Sequence, residues 1–257
     1  MTRAAGLFLA VVVLVPASAG AGTTKPPLAL TATPAHVSLV GTSRSVIRVT
    51  NPGRSPVVVD VGRAGFALDL RGRPRVVPRG GARVASRWLT VRPARFVLAA
   101  GGSRHLTVHS RLPRPVEPGD HDALVLLTTR PQRRAGVAVR MRIGIVVVVR
   151  APGRIVRRLV LGRIRVRRDR AGRFVELRVA NRGNVTESLA RGDLQLTLRR
   201  RRFETRLRSF PQEIRPKTDA IVQLGYRGRS RGWVTATGRI AMEPGRPAVY
   251  RTYRVKL

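Results

Sequence analysis

Cysteine is absent from this chain of 257 residues. Disulfide bonds are therefore excluded, and the folded state must draw its stability from buried apolar cores. The length suffices for one large domain or for two domains of about 110 residues, each with a core of its own.

Acidic residues are scarce, with 13 Asp and Glu against 51 Lys and Arg. The carboxylates are scattered, and no two are arranged as a general acid and base pair. Ser43, Ser86 and Ser103 lack the sequence context of a nucleophilic serine. These absences predict a protein that is not an enzyme and that binds no cofactor.

The four histidines offer no metal site. His105 and His109 are four residues apart, which in a strand is about 13 Å and too far for one metal ion. His121 has an aspartate on each side, but the stretch Pro118-Gly119-Asp120-His121 is typical of a turn before a strand. We therefore predict no metal ligands.

Long hydrophobic runs are missing except at the N-terminus. Arg3 precedes an apolar run from Ala4 to Val15, and small residues follow at Ala17-Ser18-Ala19. This order is typical of a secretory signal peptide, and the run is shorter than the roughly 20 residues that span a bilayer. We predict a signal peptide over residues 1–21 and a secreted, extracytoplasmic protein; the alternative is an uncleaved N-terminal anchor.

The formal net charge is +38, and only Lys25, Lys217 and Lys256 among the basic residues are lysines. Selection for polyanion binding and codon usage in a GC-rich genome both explain such an excess of arginine. In either case the surface attracts polyanions and anionic membranes. For an exported protein, the expected partners are wall polymers, acidic lipids and acidic proteins rather than a specific nucleic acid.

Short alternating runs rich in valine recur about every ten residues, separated by Gly, Pro, Asn and Asp. This pattern is typical of antiparallel sandwiches, and no helical period persists over three turns. The runs are Val46–Val49, Val57–Val61, Leu106–Val108, Leu124–Leu127, Leu161–Val166, Phe174–Val179, Leu194–Leu198 and Ile221–Leu224. The sequence therefore predicts an all-β protein.

The most apolar stretch after the N-terminus is RMRIGIVVVVR, residues 140–150. Its β-branched residues favour a strand over a helix. A period of two places five apolar residues on one face. These are Met141, Ile143, Ile145, Val147 and Val149. The strand is expected to end at Ala151-Pro152-Gly153 and to close a first domain.

A weak internal repeat supports two domains. Val46–Gly53 is echoed by Val175–Gly183, each a strand that runs into an Asn-x-Gly turn. Phe96–Val108 has a fainter echo in Glu213–Leu224. Two copies of one sandwich plan explain both echoes, although chance similarity between valine-rich strands explains either one alone. We predict two tandem immunoglobulin-like domains, over residues 22–152 and 153–257.

The first domain resembles a known family through four segments taken in order. They are NPGRSPVVVDV, WLTVRPARFVLAAGGSRHLTVHSRLP, PGDHDALVLLTT and AVRMRIGIVVVVRAPG. Together they resemble the immunoglobulin-like N-terminal domain of periplasmic pilus-assembly chaperones. They are equally similar to the related domain of Gram-positive surface proteins that bind peptidoglycan and WxL-type partners. The resemblance covers about residues 28–152.

The pilus-chaperone resemblance implies that strand 140–150 offers apolar side chains to a partner that lacks a strand, by β-augmentation. Met141, Ile143, Ile145, Val147 and Val149 are the candidate partner-binding residues; the alternative is a central core strand. The chaperones also clamp a client carboxylate with an arginine and a lysine. Here Gly144 stands at the lysine position, and Thr33–Val37 offers no arginine.

Arginines cluster at two places in the second domain, and guanidinium groups bind carboxylate and phosphate in bidentate fashion. The candidate polyanion-binding residues are Arg163, Arg165, Arg167, Arg199, Arg200, Arg201 and Arg202. The alternative is that both clusters are solvated faces.

Loss of the carboxylate clamp favours a role other than that of a true pilin chaperone. The leading prediction is a non-enzymatic adaptor of the cell envelope, which binds an extracytoplasmic protein through a sheet surface and an anionic wall or membrane through its charge. The second prediction is a chaperone that donates a strand to secreted or surface subunits.

Overall fold

The computed structural model describes residues 29–77, 84–134, 137–170, 172–191, 193–228, 231–241 and 247–257. The predicted signal peptide lies outside these residues. The described residues form strands, turns and loops, and they include no helix long and apolar enough to cross a membrane.

Twelve strands belong to the first half of the chain. They are β1 (Thr31–Thr33), β2 (His36–Val40), β3 (Arg44–Thr50), β4 (Val57–Leu68), β5 (Pro74–Val77), β6 (Leu89–Arg92), β7 (Arg95–Leu98), β8 (Ser103–Ser110), β9 (Gly119–Thr129), β10 (Gln132–Arg134), β11 (Val137–Val139) and β12 (Arg142–Ala151).

Nine strands belong to the second half. They are β13 (Leu159–Asp169), β14 (Gly172–Asn181), β15 (Glu187–Leu189), β16 (Leu194–Arg200), β17 (Phe203–Arg208), β18 (Gln212–Ile214), β19 (Asp219–Tyr226), β20 (Trp233–Ile240) and β21 (Val249–Lys256).

Each half is a sandwich with its own core. In the first, a sheet of order β1-β3-β8-β6 packs on a sheet of order β2-β12-β9-β4-β5, in which β7 also pairs with β4. In the second, sheet β13-β14-β19 packs on sheet β17-β16-β20-β21. One core cluster draws on residues from Leu30 to Val149 and the other on residues from Leu159 to Leu257. The predicted all-β, two-sandwich fold is confirmed.

The alternation in the sequence explains how each strand supplies a core. In β16, Leu194, Leu196 and Leu198 are fully buried, whereas Gln195 and Thr197 point away from the core. The predicted cut after residue 152 lies in the segment between β12 and β13, and its position stays a prediction. The turn predicted at Pro118–His121 is wrong, because β9 already begins at Gly119.

The Asn-x-Gly echo has the same geometry in both sandwiches. Asn51 accepts a hydrogen bond from the Gly53 N–H at 3.0 Å and donates to the Ala99 carbonyl at 3.0 Å. Asn181 accepts from the Gly183 N–H at 2.9 Å and donates to the Ile214 carbonyl at 2.9 Å. A fully buried asparagine therefore ties a turn to a neighbouring strand in each half.

Candidate functional site

Strand β12 is paired along its whole length on one side and along half of it on the other. It runs antiparallel to β9 from Arg142 to Ala151. It runs parallel to β2 only from Val146 to Arg150, because β2 has five residues and follows β1, which belongs to the opposite sheet. Among the described strands, none covers the second side of residues 142–145.

The main-chain groups of this uncovered half have a defined direction. The Thr129 N–H donates to the Met141 carbonyl, and the Val146 N–H donates to the Ala35 carbonyl on the opposite side. Because an antiparallel ladder alternates, the N–H and C=O groups of Arg142 and Gly144 point away from β9. Residues 142–145 therefore form an open sheet edge, which is a template for strand addition.

The five candidate partner-binding side chains divide along the strand. Ile145, Val147 and Val149 are fully buried in the first core. Met141 and Ile143 are half-buried and pack against the margin of that core. The two alternatives predicted for this strand, an open edge and a core strand, thus apply to different halves of it. Met141 and Ile143 flank the open edge, whereas Ile145, Val147 and Val149 belong to the core. Their role in partner binding stays a prediction.

The outer face of the β12 sheet carries a second, smaller apolar cluster. Ala64, Phe66 and Leu124 form its centre, with Leu68, Leu126 and Val146 at its margin. Gly144 lies on this face, where an added Cβ would be 3.5 Å from Leu124 Cδ2. This cluster is mostly buried, and its half-buried members Leu126 and Val146 lie beside the open edge.

An aspartate at the start of β9 links the two sandwiches. Arg150 donates to the Asp120 carboxylate at 2.7 and 3.1 Å, and the Thr186 N–H donates to the same carboxylate at 2.8 Å. The Asp120 N–H donates to the Asn184 carbonyl at 2.8 Å. Burial raises the pKa of Asp120, but the hydrogen bonds from Arg150 and Thr186 outweigh burial and hold the pKa below 3.8.

A buried ion pair lies beside this link. Arg215, on the second sandwich, donates to Asp122 at 2.9 Å, and the two side chains are only 5% and 9% exposed. The Arg215 guanidinium also lies 4.9 Å from the centroid of the Phe66 ring. The cations Arg150 and Arg215 at this junction are therefore neutralised by carboxylates of the chain itself.

A third link joins the β4–β5 turn to the second sandwich. Arg71 donates to the buried Glu176 carboxylate at 3.3 Å, and the Ile221 N–H donates to the Leu70 carbonyl at 2.5 Å. Burial raises the pKa of Glu176, but hydrogen bonds from Gln223 and Arg165 lower it to a net value below 4.5. A cavity of about 710 Å³ lies next to this link.

The candidate polyanion-binding residues do not form one cluster. Arg165 donates to Glu176 at 2.7 Å, and Arg167 lies 3.7 Å from the same carboxylate. Arg199 donates to Glu204 at 2.8 Å, and Arg200 to the Arg231 carbonyl at 2.8 Å. Arg163, Arg201 and Arg202 are exposed, and the last two lie in the β16–β17 turn. Polyanion binding by this set stays a prediction.

Sequence reasoning missed the residues that join the sandwiches. The predicted turn at Pro118–His121 includes Asp120, and the sequence marks neither Asp122 nor Arg215 as a junction residue. The signal in the sequence was the scarcity of carboxylates, because two of only 13 flank His121 at the start of the apolar stretch Ala123–Leu127. His121 itself is buried; its Nε2 lies 2.8 Å from the Glu117 carbonyl, and its ring centroid lies 4.4 Å from that of Trp88.

No family model and no curated protein matches the sequence. Solved structures do match. A fimbrial chaperone in a complex described as a chaperone-tip adhesin complex for CFA/I fimbriae biogenesis has a TM-score of 0.51 at 10% identity, over 87% of this chain and 98% of that one. The class 5 fimbriae chaperone CfaA has a TM-score of 0.51 at 11% identity, over 87% and 98%.

A chaperone-tip subunit complex from the archaic Csu pili of Acinetobacter baumannii matches with a TM-score of 0.49 at 12% identity, over 88% and 98%. The first two matches extend over both sandwiches, beyond the half in which the sequence carries the resemblance. The pilus-chaperone resemblance is thereby confirmed: the chain has the two-sandwich fold of periplasmic pilus chaperones.

Proposed function

We propose that this protein is an exported, non-enzymatic chaperone that binds an extended segment of another extracytoplasmic protein by strand addition. The observation that carries the proposal is the open edge at residues 142–145 of β12, where the N–H and C=O groups of Arg142 and Gly144 lack a neighbouring strand among the described residues. Main-chain hydrogen bonds at such an edge supply affinity, and the flanking side chains supply register.

Within this proposal, the candidate strand residues have two tasks. Met141 and Ile143 contact the incoming segment, because they are half-buried beside the open edge. Ile145, Val147 and Val149 anchor β12 in the core. The similarity in fold to solved fimbrial chaperones supports this assignment over the adaptor role favoured by the sequence.

The expected mode of binding lacks a carboxylate clamp. Gly144 supplies no cation, and Arg150 and Arg215 already bind Asp120 and Asp122. The partner is therefore held by its main chain and by apolar contacts with the half-buried side chains beside the open edge, which are Met141, Ile143, Leu126 and Val146.

The test replaces Ile143 by Asp and, as a matched control, replaces Val97 by Asp. Val97 is an apolar residue on β7 that is 60% exposed, so the control adds the same charge to another strand. The tagged proteins are recovered from the exported fraction of the native host, and co-purifying proteins are quantified by mass spectrometry. We expect Ile143→Asp to lose a discrete set of partners that Val97→Asp retains. Identical sets from the two variants would refute strand addition at this edge.

A second candidate function is attachment to an anionic envelope polymer or membrane. The net charge of +38 and the exposed arginines of the β16–β17 turn favour it. Exposed charges are screened beyond about 8 Å at physiological ionic strength, so retention on isolated envelopes should fall steeply as salt is raised. Retention that does not depend on salt would exclude a mainly electrostatic attachment.

A further inference from the structure

A concave surface with five arginines lies at one end of the second sandwich, where β17 passes the adjoining ends of β14 and β19. Its cavity measures about 700 Å³, a volume typical of small-ligand sites. We call it the arginine groove and define it by Arg173, Arg191, Arg206, Arg208 and Arg227. A neighbouring concavity of about 430 Å³ shares Arg173 and Arg227 and adds Arg168 and Arg231.

The described lining of the arginine groove contains no aspartate or glutamate. This distinguishes it from the clusters that the sequence drew attention to, where Arg165 and Arg167 face Glu176. Arg206 lies 3.7 Å from Glu204, a residue outside the lining, and Arg208 and Arg227 are exposed. A cleft lined by charges of one sign concentrates the electrostatic potential and raises the local concentration of counter-ions.

Aromatic rings complete the lining. Phe210 is 60% exposed, and Phe174 is half-buried. Tyr226 is buried beneath Arg173, whose guanidinium lies 5.2 Å from the ring centroid and also donates to the Gly228 carbonyl at 3.0 Å. Arg173 is thereby held in place at the groove.

A buried hydroxyl also belongs to the lining. Ser209 is 1% exposed, and its Oγ has no hydrogen-bond partner among the described residues. Buried polar groups of native proteins are normally satisfied by protein, water or ligand. The groove thus combines forked donors for anions with a flat apolar ring, and a buried hydroxyl lies in its lining.

We propose that the arginine groove binds a segment of an acidic polysaccharide. Guanidinium groups bind its carboxylates or phosphates in bidentate fashion, and Phe210 packs against a sugar ring. This inference rests on the second candidate function, attachment to an anionic envelope polymer, and is independent of strand addition at β12. It assigns that attachment to a defined groove rather than to the net charge of the whole surface.

The lining favours a glycan over other polyanions. Proteins that hold single-stranded nucleic acid stack successive bases on several aromatic side chains, whereas Phe210 is the one strongly exposed ring in the described lining. Membrane-surface sites present an extended apolar face, whereas this site is concave and arginine-rich.

The test uses the charge-reversal pair Arg208→Glu and Arg227→Glu in the full mature chain. Its matched control is Arg44→Glu with Arg114→Glu, two exposed arginines of the first sandwich, so that both variants have the same net charge. Binding of oligogalacturonate, a carboxylated oligosaccharide, is measured by calorimetry at fixed salt. A thermal melt checks that each variant is folded.

We expect the groove pair to weaken oligogalacturonate binding by at least about tenfold and the control pair by less than about threefold, since a hydrogen bond to a charged group contributes on the order of tenfold or more to an equilibrium constant. Equal losses in both pairs would overturn the groove assignment and leave general electrostatic attachment standing. Failure of the unmodified protein to bind any acidic polymer would overturn both the groove assignment and the attachment to an anionic polymer.

A further variant, Phe210→Ala, separates a glycan from a simple anion. It should weaken binding of oligogalacturonate and leave binding of inorganic tripolyphosphate unchanged, because only the sugar has a ring to pack on Phe210. An equal effect on both ligands would overturn the role of Phe210. Tighter binding of oligothymidylate, or of phosphatidylglycerol vesicles, than of oligogalacturonate at the same salt would overturn the choice of a glycan.

Discussion

The guanidinium of Arg215 donates to the carboxylate of Asp122 across the junction between the two sandwiches, at 2.9 Å. Both side chains are buried, and the same guanidinium packs on the ring of Phe66. One arginine of the second sandwich thus covers a charge and an apolar side chain on the sheet that carries β12. The open edge of β12 and the residues of the domain junction therefore belong to a single sheet.

Removing this arginine should destabilise the junction strongly. Arg215→Ala removes the guanidinium that pairs with the buried Asp122 carboxylate, and breaking a buried ion pair from one side costs about 3–5 kcal/mol. Urea unfolding, followed by tryptophan fluorescence, measures the loss. The exposed Arg44→Ala is the control and should change the free energy of unfolding by less than about 0.5 kcal/mol. Equal effects would mean that the pair contributes nothing at the junction.

Acid should loosen the same junction. The folded-state pKa values of Asp120 and Glu176 lie below the ordinary values of 3.8 and 4.5, so both carboxylates bind protons less readily in the folded protein. Their contribution to stability is therefore present at neutral pH and is lost as pH falls from about 4.5 through the depressed pKa values. Melting temperatures recorded from pH 7 to pH 3 should decline in that window.

The double variant Asp120→Asn with Glu176→Gln removes these two titrating groups. It should melt at a lower temperature at pH 7 and show a shallower decline in acid than the unmodified protein. An unchanged slope would assign the acid sensitivity to other carboxylates.

The architecture was accessible from sequence because local patterns determine it. Alternation in stretches such as Leu194–Leu198 predicted both the strand and its buried face, and the Asn-x-Gly turn at Asn51 and Asn181 predicted the repeated sandwich. The apolar face of β12 was predicted residue by residue for the same reason, since a period of two is visible in ten consecutive letters.

The site itself depends on contacts between distant residues. Half of β12 is open because β2, about 110 positions earlier in the chain, pairs only with the residues from Val146 onward. Arg215 and Asp122 are 93 positions apart, and no periodicity marks them as partners. The neutralisation of Arg165 follows from the register of β13 on β14, which places it opposite Glu176. The excess of arginine in the sequence therefore does not reveal which of the candidate arginines face a carboxylate of the chain itself.

Close approach at the start of β9 should make one glycine irreplaceable. Gly119 has a φ of +109°, and a Cβ at this position would overlap the carbonyl oxygen of Asn184 on the second sandwich. Gly41→Ala is the control: its φ is +59°, and an added Cβ meets no atom within 4 Å. The control should lose about 1–2 kcal/mol of stability through its backbone alone.

Gly119→Ala should lower the free energy of unfolding by about 1–3 kcal/mol more than Gly41→Ala does, a cost that is typical of overpacking. Small-angle scattering should also show a larger radius of gyration, because the sandwiches must separate to admit the methyl group. Identical stability and scattering for the two variants would mean that the contact between Gly119 and Asn184 does not hold the domains together.

The main chain of the open edge can be tested without altering any side chain that packs in the core. The Gly144 N–H points away from β9, so Gly144→Pro removes a donor from the open edge and preserves the β9–β12 ladder. Gly144→Ala keeps the donor, and its Cβ is in ordinary contact with Leu124.

For a partner recovered with the unmodified protein, Gly144→Pro should weaken binding by about threefold to tenfold, which corresponds to one main-chain hydrogen bond. Gly144→Ala should bind almost normally, and surface plasmon resonance distinguishes the two. Equal affinity of the proline and alanine variants would show that the partner does not add a strand here, whatever its contacts with Ile143.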